Sequence, residues 1–119
     1  MSKHHFEVIG NHVKIRLSGG LLGDRAAIFR EKTLHYIEQG YQDFTVNLTE
    51  VDDINSTGLG ALVNIQKRIQ QNGGRVTLHG LQESVRLAFQ RTRLHKAFAI
   101  IDDAAANNAA TEMMPAAAL

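Results

Sequence analysis

The sequence predicts an α/β fold: a mixed sheet of about five strands with helices packed mainly on one side. Stretches with the two-residue apolar period of a half-buried strand alternate along the chain with stretches carrying the wider helical period. Glycine-bearing turns punctuate most of these changes of period. At 119 residues the chain has the length of one domain, enough to bury roughly 65% of its unfolded surface without metal or disulfide staples.

Phe6 and Val8, then Val13, Ile15 and Leu17, alternate with polar residues and read as two short paired strands. Gly10-Asn11 between them can supply the positive φ of a hairpin turn. Ser18-Gly19-Gly20 ends the second strand, and Asp24 is placed to N-cap the helix that follows. Ala26, Phe29, Thr33, Leu34 and Ile37 fall on one face of that helix, and Gly40 stands where a left-handed C-terminal residue belongs. Phe44, Val46 and Leu48 restore the strand period.

A second helix is expected from near Thr57, with Leu59, Leu62, Val63, Ile65 and Ile69 facing in and Asn64, Gln66, Lys67 and Gln70 facing out. Asn72-Gly73-Gly74 stops it. Val76 and Leu78 form a fourth strand that Gly80 breaks. Gln82 to Arg91 is a third helix with Val85, Ala88 and Phe89 inward, and Phe98, Ile100 and Ile101 a last short strand. The domain is expected to span residues 1–103. Residues 104–119 form an Ala/Asn-rich tail, partly helical or disordered.

Composition excludes several function classes. Cysteine is absent, so no disulfide framework, thiolate metal site or cysteine nucleophile exists. The formal net charge of +1 gives no general pull toward nucleic acid or an acidic membrane. The N-terminus lacks the apolar stretch of a signal peptide, and no run approaches the roughly 20 apolar residues of a membrane helix. The expectation is a soluble cytoplasmic protein with no direct nucleic-acid contact and no membrane insertion. The histidines include no i, i+4 pair, so no metal is expected, and no nucleophile–base–orienter set points to an enzyme or to a cofactor. Asp52-Asp53 reads as turn or capping residues. Arg86, Arg91, Arg93 and Lys96 read as a solvated face.

One segment stands out: Val51-Asp52-Asp53-Ile54-Asn55-Ser56-Thr57-Gly58-Leu59-Gly60. Polar side chains crowd ahead of an apolar helical face, so hydroxyls lie where helix N–H groups are unpaired. A phosphate there would meet free donors and the positive end of the helix dipole. Gly58 and Gly60 would leave the first turn open to a partner. The same residues are also what plain helix capping requires.

Across residues 6–103 the chain resembles the STAS family, the sulphate transporter and anti-sigma factor antagonist domains. It is most similar to small single-domain bacterial anti-sigma factor antagonists. The matching stretches are Val13-Lys14-Ile15-Arg16-Leu17-Ser18-Gly19, Asn55-Ser56-Thr57-Gly58-Leu59-Gly60, Gly73-Gly74-Arg75-Val76-Thr77-Leu78 and Thr92-Arg93-Leu94-His95-Lys96-Ala97-Phe98. The family motif at the helix start is Asp-Ser-Ser-Gly-Leu-Gly or a close variant, and the hydroxyl before the glycine is the phosphorylated one. That position is Thr57 here, with Ser56 the second choice.

The resemblance implies partner switching. The unphosphorylated protein binds an anti-sigma factor serine/threonine kinase, phosphorylation breaks the complex, and a PP2C-type phosphatase restores it. Asp24, Asp53, Asn55, Ser56, Thr57, Gly58, Leu59 and Gly60 would form the contact face. The chain departs from the family in three places. Asn55 replaces the usual Asp, Gly19-Gly20-Leu21-Leu22 replaces Gly-Glu-Leu-Asp, and Arg93 stands where many relatives have Gly, which implies a non-glycine in a helix-ending conformation. Related domains also serve as structural subunits of membrane transport complexes, including ABC lipid systems, or as stress-signalling scaffolds. Those remain the alternatives.

Overall fold

A computed structural model of the chain describes residues 4–101. Its elements are β1 (His4–Ile9), β2 (His12–Leu21), α1 (Gly23–Glu38), β3 (Asp43–Ile54), α2 (Ser56–Gln71), β4 (Arg75–His79), α3 (Glu83–Arg91), a 3-10 turn (Leu94–Lys96) and β5 (Ala99–Ile101). The expected boundary at 103 and the 104–119 tail lie outside the described residues.

One five-stranded sheet runs in the order β1-β2-β3-β4-β5. β1 pairs with β2 antiparallel, Ile9 opposite His12, and the remaining pairs are parallel. Gly10 takes the positive φ of the hairpin, 60°, a conformation that costs a glycine nothing. The alternation read from the sequence is the one that sorts the sheet. Val13, Ile15, Leu17, Phe44, Val46, Leu48, Val76 and Leu78 are buried on the helix-covered face. His5, Lys14, Arg16, Thr45, Asn47 and His79 line a polar depression.

The helices bury the faces their periods predict. Phe29 and Ile37 of α1, Leu62, Ile65 and Ile69 of α2, and Val85 and Phe89 of α3 enter one continuous core with the strands. α1 lies beside α2, and α3 packs on β3. Gly40 takes the positive φ expected after α1, 102°. Thr33 is buried within α1, its hydroxyl donating to the Phe29 carbonyl at 2.8 Å.

Four local expectations are corrected. β2 continues through Leu21 and β3 through Ile54, so Val51 to Ile54 is strand, not loop. The reason is bulging: between Arg16 and Gly20, β3 advances three residues for every two of β2. The buried β3 positions accordingly change from every second residue to Leu48, Val51 and Ile54. Asp52 is therefore a strand residue, not a turn or cap. Carbonyls that leave a ladder need other donors, and side chains supply them. Gln82 Nε2 donates to Thr49 O at 2.7 Å and Ser84 Oγ to Asp52 O at 2.9 Å.

Asp24 does not cap α1. The N-cap is Leu22, without a side-chain bond, and Asp24 stands in the first turn, where a carboxylate still suits the helix dipole. Gln66 faces in rather than out: it is buried and its Nε2 donates to the Ala97 carbonyl at 2.5 Å, tying α2 to the chain before β5. Ala88 is only half-buried. Arg93, as its position implied, ends the α3 region in the left-handed conformation, φ 63° and ψ 13°.

Candidate functional site

Asn55 is the hinge between β3 and α2. Its backbone is extended (φ −120°, ψ −171°), the shape of an N-cap. Its Oδ1 accepts the Thr57 N–H at 3.0 Å and the Gly58 N–H at 3.2 Å, while its carbonyl accepts the Leu59 N–H at 2.9 Å. One side chain therefore satisfies two of the orphan amides that open a helix. The hydroxyls of Ser56 and Thr57 are left out of this arrangement. Both residues are exposed, and neither hydroxyl has a hydrogen-bond partner among the described residues. The capping explanation of the Ser-Thr pair accordingly fails at the hydroxyls, since the cap is the amide next door.

The first turn of α2 itself carries no acidic residue, and the nearest exposed carboxylate in the chain before it is Asp53. An anion on the Thr57 hydroxyl would lie at that positive end. No base is hydrogen-bonded to either hydroxyl among the described residues.

Gly58 serves a different purpose from the one its sequence suggests. It is buried, and a Cβ there would come within 2.2 Å of the Leu21 carbonyl oxygen and 2.7 Å of Ile54 Cγ1. The glycine lets α2 start directly on the ends of β2 and β3 rather than opening the turn to a partner. Gly60 is the position that does lie open, with nothing within 4 Å of an added Cβ. Leu59 is buried at 8% exposure and belongs to the core.

Through that close approach the site gathers at the carboxyl ends of the two strands, where open α/β sheets place ligands and partners. Asp53 is exposed there, paired in register with Gly20. Asp24 stands exposed on the start of α1, without a hydrogen bond or ion pair among the described residues. Asn55, Ser56 and Thr57 are thus brought together with Asp53 and with the end of β2, while Gly58 and Leu59 support them from beneath.

Two features of this end were not singled out from sequence. Arg25 of α1 donates through Nε to the Gly20 carbonyl at 2.9 Å and through Nη2 to the Ser18 carbonyl. A groove of about 350 Å³ flanks α2, lined by Ser56, Leu59, Gly60, Val63, Lys67 and Leu94 among others. Only the helical period of Leu59 and Val63 hinted at it, because Leu94 arrives from a distant turn.

Among the described residues no group of three or more His, Cys, Asp or Glu is arranged to hold a metal, and no helix is long and apolar enough to cross a membrane. His4 titrates below the ordinary histidine value. Burial lowers its pKa, helped by the Arg25 and Lys32 charges and opposed by its bond to the Arg25 carbonyl at 2.9 Å.

Residues 4–107 match the model of the STAS domain. The anti-sigma-B factor antagonist of Bacillus subtilis (strain 168) is 32% identical over 84 residues, 71% of this chain and 76% of that protein. Among solved structures, a Thermotoga maritima protein assigned as an anti-sigma factor antagonist superposes with a TM-score of 0.77 at 26% identity, covering 82% of this chain and 84% of that one. The Bacillus cell fate determinant SpoIIAA in its phosphorylated form gives 0.71 at 24% identity, over 84% and 90% of the two chains. At that identity it speaks for the fold.

Proposed function

The chain belongs to the STAS domain family, and from that premise we propose that it is an anti-sigma factor antagonist, switched by phosphorylation of Thr57. The exposed, unbonded Thr57 hydroxyl at the start of a helix capped by Asn55 carries the reading. The likeness to the Bacillus antagonist supports it.

The protein then acts in the cytoplasm as substrate and binding module, not as catalyst. Its unphosphorylated form binds an anti-sigma factor serine/threonine kinase through Asp24, Asp53, Asn55, Ser56, Thr57 and the open flank at Gly60, with Gly58 and Leu59 holding that surface in place. Phosphorylation adds about −1.5 to −2 charge beside Asp53, on a surface that a partner would have to desolvate. A PP2C-type phosphatase resets the cycle. The fold absorbs the modification because no hydrogen bond of the Thr57 hydroxyl is lost.

The test is to incubate the protein with kinase anti-sigma factors and ATP and to map any phosphate by mass spectrometry. Labelling at Thr57, or at Ser56 as the lesser site, is expected, together with release of the complex. No label on either residue and no stable complex with any such kinase would sink the proposal.

A further inference from the structure

We propose that Arg25 is a positioning residue for the Thr57 site, bracing the end of β2 on which the first turn of α2 rests. The inference deepens the functional reading above, and its consequence for partner binding rests on that reading.

The region that Arg25 holds is one where the sheet is irregular. β2 and β3 lose register twice between Arg16 and Gly20, and Gly19 there adopts a positive φ of 76°. Carbonyls in such a stretch need donors from outside the ladder. Arg25, half-buried in the first turn of α1, donates to the carbonyls of both Ser18 and Gly20. A guanidinium can hold two acceptors at once because its N–H groups diverge in a rigid fork, whereas a lysine ammonium is a single point of charge on a flexible stem. Arg25 is itself anchored, since its own carbonyl accepts the Nε2–H of His4 at 2.9 Å. The brace therefore spans β1, α1 and β2.

From Gly20 the path to the switch is short. Leu21, the next residue, pairs with Ile54, and its carbonyl oxygen occupies the space that a methyl group on Gly58 would need. Gly58 follows Thr57 directly. A movement of the β2 end would therefore be passed to the first turn of α2 through a contact with no slack. An arginine that only stabilised the domain would lack this selectivity, because its loss would loosen the core in general.

Three variants separate the two roles: Arg25→Gln, Arg25→Lys, and Phe89→Leu as a destabilising change in the core beneath α3. Amide hydrogen exchange is followed along the chain, and affinity is measured for whichever anti-sigma factor the wild type binds. For Arg25→Gln, exchange at residues 57–59 should rise about tenfold and affinity fall about tenfold, the scale of one charge-assisted hydrogen bond. The α3 amides should stay at wild-type rates. Arg25→Lys should fall between, and Phe89→Leu should leave residues 57–59 unchanged. Unchanged exchange there in Arg25→Gln, or an equal rise in Phe89→Leu, overturns the brace. Raised exchange with unaltered affinity overturns its role in presenting the site. If the wild type itself binds no anti-sigma factor, the functional reading falls, and the exchange pattern still decides for or against the brace.

Discussion

The side chain of Asn55 holds the amide of Thr57 at 3.0 Å and makes no claim on its hydroxyl. Capping and switching are thereby divided between two residues, and substitution can separate them. Asn55→Ala should cost about 1 kcal/mol, the usual loss for an N-cap, or roughly 4–8 °C in Tm for a domain near this size. Asn55→Asp keeps the acceptor and should stay close to wild type. Thr57→Ala should change stability by less than about 0.5 kcal/mol, as surface substitutions do. Urea denaturation of the three variants is the check. An equal loss in Thr57→Ala and Asn55→Ala would mean that the hydroxyl has a structural task.

Gly58 and Gly60 sit two residues apart on one helix and should respond to alanine with opposite signs. At Gly58 the new methyl meets the Leu21 carbonyl at 2.2 Å, backbone that has to shift, so Gly58→Ala should cost about 1–3 kcal/mol as an overpacking change. At Gly60 the methyl meets nothing within 4 Å, and Gly60→Ala should stabilise by about 0.5–1 kcal/mol through helix propensity. Thermal melts of the pair decide it. Similar effects in both would show that α2 does not seat on β2 in the way described.

That pair also marks where sequence reading runs out. Regular periods were legible: the β1–β2 hairpin and the apolar stripes of α1 and α2 lie where spacing and turn chemistry put them, while the left-handed Arg93 came from the family resemblance, which has Gly at that place. What escaped depends on partners far along the chain. Gly58 is glycine because of Leu21, and Gln66 is buried because of a carbonyl 31 residues away. The extension of β3 to Ile54 was hidden because each bulge adds a residue and breaks the two-residue period on which strands are recognised. The family motif located Thr57 and Asn55. It carried no sign of Arg25, whose acceptors lie where β2 and β3 fall out of register.

Arg93 adopts φ 63°, a region that costs a side-chain-bearing residue about 1 kcal/mol or slightly more. Its side chain makes no hydrogen bond or ion pair among the described residues that would offset this strain. Arg93→Gly should therefore stabilise the domain by about 0.5–1 kcal/mol, reduced from the full strain by the greater freedom of glycine when unfolded. Loss of stability in a chemical denaturation curve would instead reveal a contact made by the arginine.

His4 makes stability depend on pH. Its Nε2–H donates to the Arg25 carbonyl, while its Nδ1 is buried without a partner among the described residues. Burial holds its folded pKa below the ordinary value of about 6.5. Between those two values the unfolded chain binds more protons than the folded one. The contribution of His4 is therefore complete above about pH 6.5, declines as pH falls toward the folded pKa, and levels off below it. Urea midpoints from about pH 8 to pH 5 should show this decline, and His4→Gln should lessen it. A slope unaltered by His4→Gln would assign the effect elsewhere.

The last prediction sets stability against binding at Thr57 itself. A carboxylate in the first turn of α2 lies at the positive end of the helix dipole, where an anion is favoured by about 0.3–1 kcal/mol. Thr57→Glu should therefore fold about as stably as wild type. The first turn itself holds no acidic residue, the dipole offsets the repulsion from exposed Asp53 just ahead of it, and the hydroxyl has no bond to lose among the described residues. Under the proposed function the same change should weaken the complex with the anti-sigma factor at least about tenfold, since a buried charge without a partner costs more than 1.4 kcal/mol. Thr57→Ala should bind like wild type and resist release by ATP. Opposite signs for stability and affinity in Thr57→Glu are what a surface switch requires. If the glutamate variant loses both together, its weaker binding reflects unfolding. If it loses neither, Thr57 lies outside the interface.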